Sequence, residues 1–353
     1  MILYIPFILA AVFSLALNSL VTFLLLKLAH KFKWYDIVDN RKIHKGEIPR
    51  IGGVGIAISF LLPVLITYLV YYFYPNNFTY SKDILLFWSL FLGALIISII
   101  GIFDDFKNIR PLYKLIGQFA AAVVIIFSGH FFTSFYIPFF NIRIESIFIG
   151  QIVTLIWIIG VTNAVNLIDG MDGFSGTITG IISLIMGISS LIIGNYEQAL
   201  ILFILFGSIT GFLIYNFPPA KIFMGDSGSL FIGFILACMP LYTFNNDYSS
   251  YTLILGISLL IIPIFDTFAA IIRRKIRRVP FQSPDMDHLH HKLLAMGLSE
   301  KPIILLVSSV TLLSSGSALL FIIYKTNIYI YLQLLIWLII AVLFLIISIK
   351  RKK

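Results

Sequence analysis

Most of the chemistry this sequence can perform lies in short polar segments set between long apolar ones. Asp104 and Asp105 close the run GIFDDFK (101–107). Adjacent carboxylates beside an apolar stretch are costly unless paired or metal-bound. Lys107, Arg110 and Lys114 follow closely enough to compensate them, although a solvated interfacial pair is the plainer alternative. In NAVNLIDGMDG (163–173), Asn163 and Asn166 are three residues apart, as are Asp169 and Asp172. That spacing lets each pair share one helical face. Oxygen donors among glycines suit a hard cation or a hydroxyl-rich substrate; the EF-hand spacing is missing, and a capped turn would look similar. Asp226 lies in FMGDSGS (223–229), at the start of another apolar run. It could cap that helix. A helix N-terminus also draws phosphate, and Asp226 could hold its magnesium.

Cations frame these acids. NRKIHKGEIPRIGG (40–53) brings Lys42, His44, Lys45 and Arg50 up to Gly52 and Gly53. It reads as an anion site at a helix start or as a headgroup anchor. Near the far end, PDMDHLHHKL (284–293) follows the basic run of Arg273 to Arg278. His288, His290 and His291 lack the spread ligands and cysteine cluster of a zinc site. They fit better as hydrogen-bond donors to a diphosphate. Asp266, in PIFDT (263–267), lies inside an apolar run about two turns from its basic end and needs a partner there. Carboxylates and phosphate-binding cations in this mixture suit magnesium-assisted phosphoryl transfer.

The elements that must position these residues are membrane helices. Of 353 residues, 59% are apolar and only 12% charged, against about 45–50% and about 25% in soluble domains. That excludes an ordinary soluble enzyme, a disordered chain and a nucleic-acid module. Long apolar blocks rather than short alternating strands give an all-α polytopic protein. Eleven blocks of spanning length run near 2–28, 51–74, 84–103, 115–132, 147–165, 174–193, 198–217, 228–245, 251–272, 303–324 and 329–349. The first is too long for a signal core and lacks a clear cleavage site, so it reads as a span. If the loop after it is cytoplasmic, 22 of the 25 Lys and Arg residues fall on that side, which puts the N-terminus outside and the C-terminus inside. Most of the acids share that side, where the positive-inside tendency makes no demand on carboxylates, so it is the working face. Residues 1–353 form a single membrane-embedded domain, with 273–302 as the largest cytoplasmic loop. Gly207 and Gly211 form a small-xxx-small pair for helix packing, and the lone Cys238 reads as a packing thiol.

The stretches at 40–53, 104–118, 163–173, 223–229, 263–267 and 284–293 occur in the order found in the polyprenyl-phosphate N-acetylhexosamine-1-phosphate transferases, and the sequence resembles that family over nearly its whole length. The HLHH form resembles the UDP-GlcNAc-using branch more than the branch using UDP-MurNAc-pentapeptide; Phe174 stands where Leu is usual. The resemblance implies transfer of a sugar 1-phosphate from a UDP-N-acetylhexosamine to undecaprenyl phosphate, with UMP released. Magnesium is implied, or manganese in its place. By the same resemblance Asp104 and Asp105 are the catalytic pair, Asp226 and Asn166 the metal ligands. Lys45, Asn163, Asp169, Asp172, Lys114, Asp266, Arg274, His288, His290 and His291 fall to the substrates. The implied setting is the cytoplasmic face of a bacterial inner membrane, and a homodimer is allowed. The rival reading, a secondary transporter, would place its charges at the bilayer midplane. Here the acids crowd one face, Asp266 apart.

Overall fold

The computed structural model describes residues 4–35, 48–73, 84–244, 248–278 and 288–349. Each expected apolar block contains a helix, as a chain in lipid must if its backbone groups are to pair within the segment. The helices are α1 (Ile5–Phe32), α2 (Gly52–Phe73), α3 (Ile84–Lys107), α4 (Pro111–Phe127), α5 (Ile147–Leu167), α6 (Phe174–Ile193), α7 (Tyr196–Asn216) and α8 (Gly225–Phe244). There follow α9 (Thr252–Leu259), α10 (Ile261–Arg277), the short α11 (Leu289–Ala295), α12 (Glu300–Tyr324) and α13 (Ile328–Ile349).

Eight of these are long and apolar enough to cross a membrane, or nine if the bent pair of α9 and α10 is counted as one span. Of the other two expected spans, α4 is shorter, at 17 residues, and α13 passes the same test only as a shorter apolar helix over Ile328–Phe344. The chain is a multi-pass membrane protein. The ninth block is not one straight helix: it turns by 76° at Leu260. Pro263, three residues on, has no N–H to give the preceding turn, and its ring crowds the carbonyl four residues back. Within the expected loop at 273–302, α10 runs on to Arg277, α11 follows at Leu289–Ala295 and α12 begins at Glu300, while 279–287 lie outside the described residues. Between α4 and α5 the chain forms two antiparallel strands, β1 (Ser134–Ile137) and β2 (Ile142–Glu145), with Ser134 opposite Glu145.

At the centre stands α8, with all 20 of its residues buried. It is wrapped chiefly by α3, α5 and α2, with α9, α6 and α7 completing the sheath. Close approach needs small residues, and a Cβ at Gly53 or Gly101 would collide with the backbone at Ser227. Gly207 and Gly211 do the same for α7, each lying against a backbone carbonyl of α1. A polar seam then fixes α2: Asn18 donates to Ser59 Oγ at 2.9 Å, and Ser59 meets Ser208 at 2.6 Å. Cys238 is a buried free thiol, as expected.

Candidate active site

Up-and-down connectivity brings to one end of the bundle the start of α2, the end of α3, the start of α4, the end of α5, the 168–173 loop and the start of α8. Backbone hydrogen bonds tie this end together. Gly52 and Gly53 donate to the carbonyls of Phe223 and Met224, and Phe223 donates back to Pro49. Gly225 sits at φ +71°, and a side chain there would strike the Asp105 carboxylate.

The two acids of α3 have different surroundings. Asp105 is buried, and its oxygens accept from the backbone N–H groups of Asp226 (2.8 Å) and Ser227 (3.0 Å). It therefore satisfies the first amides of α8, where a negative charge also suits the helix dipole. Asp104 takes Lys114 Nζ on one oxygen at 2.6 Å and the Ile109 amide on the other. Lys114 also reaches Asp226 Oδ2 at 2.6 Å, while Arg50 holds Asp226 Oδ1 at 2.5 Å. Three carboxylates and two cations thus form one knot. Sequence reasoning gave Arg50 only a share in an anion site; its pairing with Asp226, 176 residues away, has no local signal.

Asn163 and Asn166 share the last turns of α5, but the helix ends at Leu167. Asp169 and Asp172 therefore lie in the following loop and not on a helical face. Asn163 exchanges two hydrogen bonds with Gln118, at 2.7 and 3.2 Å. Gln118 was missed, although it falls one turn beyond Lys114 on α4. Asn166 gives Nδ2 to Ser229 Oγ at 2.8 Å, which brings it to the first turn of α8. Its Oδ1 has no partner among the described residues. Asp172 accepts from the Ala220 amide, and Asn216, also missed, bridges Gly173 to Ile222. Asp169 is half-buried with no hydrogen-bond partner for its carboxylate among the described residues. Burial pushes it from its ordinary 3.8 up to about 7; Arg50 opposes the shift, while Asp226, Asp105 and Asp172 add to it.

The histidines form a second cluster. Asp266 is buried with both oxygens occupied by protein: His288 Nδ1 lies 2.8 Å from Oδ2, and the Leu289 amide donates to Oδ1 at 2.9 Å. His290 stacks parallel to His288 with centroids 6.2 Å apart, and its ring lies against Gly170 in the 168–173 loop. Its two ring nitrogens are buried without a hydrogen-bond partner among the described residues, as is Arg274 Nε. Burial above all, helped by His291 and His288 against Asp266, lowers His290 from 6.5 to about 3. At neutral pH it can offer a ligand a hydrogen bond but not a charge. His291 packs on His290 at 4.2 Å. Lys45 lies outside the described residues.

A profile for glycosyl transferase family 4 matches residues 87–244. That stretch contains the acids of α3, Lys114, the 163–173 segment and Asp226. Beyond it, a probable undecaprenyl-phosphate N-acetylglucosaminyl 1-phosphate transferase of Bacillus subtilis (strain 168) is 33% identical over 310 residues, covering 88% of this chain and 83% of the relative. The chain belongs to glycosyl transferase family 4. Two further relatives carry the names of two different activities. An undecaprenyl-phosphate alpha-N-acetylglucosaminyl 1-phosphate transferase of Thermotoga maritima is 31% identical over 264 residues, 74% of each chain. A phospho-N-acetylmuramoyl-pentapeptide-transferase of Carboxydothermus hydrogenoformans is also 31% identical, over 78% of this chain and 84% of the relative.

Proposed function

We propose that the protein transfers N-acetylglucosamine 1-phosphate from UDP-N-acetylglucosamine to undecaprenyl phosphate, releasing UMP and starting a cell-envelope glycan. The observation that carries this reading is the knot of Asp104, Asp105, Asp226, Arg50 and Lys114 at one end of a membrane bundle. A lipid phosphate arrives from the bilayer and a nucleotide from water, and only a membrane face admits both. The loop charges support a cytoplasmic position for that face, with the N-terminus outside, and the setting proposed is a bacterial inner membrane.

Magnesium takes one or two carboxylates plus substrate phosphates and keeps several waters, so a small donor set is enough. Asp226, whose oxygens Arg50 and Lys114 hold here, and the open Oδ1 of Asn166 near the same helix start are the groups that would hold it, with Arg50 and Lys114 released to the phosphates. Among the described residues no larger cluster of His, Cys, Asp or Glu competes for the ion. Bound there, magnesium, or manganese in its place, would neutralise the diphosphate and stabilise the leaving UMP. Among the described residues, Arg50 and Lys114 are the cations paired with these carboxylates and would serve the phosphates. The lipid phosphate has a second pKa of about 6 and is largely dianionic at neutral pH. Asp104 therefore takes a last proton or orients the nucleophile, and direct in-line attack needs no covalent intermediate on the protein.

The test is purified protein in detergent with undecaprenyl phosphate, magnesium and a panel of UDP-sugars. Expected is magnesium-dependent UMP release with UDP-N-acetylglucosamine, lost in Asp226→Asn. Release only with UDP-MurNAc-pentapeptide would replace the donor. No release with any donor from folded protein would overturn the reading.

A further inference from the structure

An acid buried within an apolar helix needs a reason, and the partners of Asp266 supply one. Its carboxylate grips the start of α11 twice, through the His288 ring and the Leu289 amide. Ionised, it can only accept hydrogen bonds, so His288 Nδ1 must carry the hydrogen between them, whether the ring is neutral or charged. That leaves His288 Nε2 as the ring atom available to a ligand, and it has no partner among the described residues. The parallel ring of His290 connects this imidazole to Gly170, and so to the loop carrying Asp169 and Asp172.

We propose that Asp266 is a positioning residue for the transfer reaction: it seats α11 and fixes the tautomer of His288, so that Nε2 faces the nucleotide-sugar. The inference rests on the transferase reading. It requires the polar groups of α11 to be held by α10, through Asp266. Asp266→Asn is the informative change. Its amide can still accept from Leu289, yet it can also donate to Nδ1, which turns the imidazole into the opposite tautomer. A wrong tautomer with intact geometry is costly in carboxylate–histidine pairs.

The experiment begins with wild-type UMP release, which tests the transferase reading by itself. Asp266→Asn is then compared with wild type for kcat and KM, for thermal unfolding, and for the ¹⁵N ring signals of His288, assigned through His288→Gln. Expected is an unfolding temperature close to wild type, turnover lower by about 10–100-fold, the usual range for losing such an orienting partner, and an Nδ1 signal changed from protonated to unprotonated. Folded Asp266→Asn protein with turnover within about twofold of wild type would overturn the proposal, since a fixed tautomer is worth at least about tenfold by the same measure. Should the variant fail to fold, the wild-type signal decides. A protonated Nδ1 supports the proposal, and an unprotonated Nδ1 overturns it.

Discussion

Asp169 and His290 respond to pH with opposite signs, and each gives a prediction. Asp169 titrates at about 7 in the fold, against an ordinary 3.8. Between those values the folded chain holds a proton that the unfolded chain has released, so stability falls as pH rises through that window. Asp169→Asn should flatten that slope and leave the ligand-free protein more stable than wild type at pH 8, read by thermal unfolding in detergent across pH. His290 has its folded value lowered from 6.5 to about 3, so its contribution is lost on acidification below about 6.5. His290→Gln should remove that acid-side loss. The acids of α3 should separate in the same assay. Asp105→Ala leaves two amides of α8 without their acceptor and should cost about 2–6 kcal/mol, at about 1–3 kcal/mol for each stranded group. Asp104→Asn should keep most of the stability and lose turnover, because its partners are a lysine and a loop amide rather than the central helix.

At the scale of elements, the small residues between α8 and its neighbours are the sensitive points. Gly101→Ala forces a methyl group into the Ser227 backbone and should cost about 1–3 kcal/mol, the usual penalty for overpacking, together with most of the activity. Gly160→Ala is the control, since a Cβ there meets nothing within 4 Å. Unfolding temperatures of the two variants check this. The helices were legible in the sequence because hydropathy over spanning lengths is a strong signal. The hairpin at 134–145 was not. Its strands have only four residues each, and the aromatic stretch leading into them continues the apolarity of the flanking blocks. The bend at Leu260 was also missed, because hydropathy runs unbroken through it and only Pro263 marks the place. The candidate site was legible as a set of residue types. Its pairings were not, since Arg50 with Asp226 and Asp105 with the α8 amides depend on which helix ends meet.

For the whole molecule, the testable statement is which end faces which compartment. Cys238 is the only cysteine in the chain and is buried, so a Cys238→Ala background accepts single reporters. In right-side-out vesicles an impermeant maleimide should label Asn141→Cys, at the turn between β1 and β2, and leave Ser299→Cys, just before α12, unlabelled until the vesicles are opened. Labelling in the reverse order would invert the topology and move the proposed site to the other face.

The complete burial of α8 also bears on how the protein is made. The helices that enclose it are translated on both sides of it, with α2, α3 and α5 earlier and α9 later. Helices cannot simply be added to a growing bundle in the order they leave the ribosome. The early helices can reach their final packing only once α8, a cylinder about 10–12 Å wide with its side chains, lies among them. In the finished protein α8 touches no lipid at all. Its passage through the bilayer is a stage of biogenesis, after which its surroundings are protein alone.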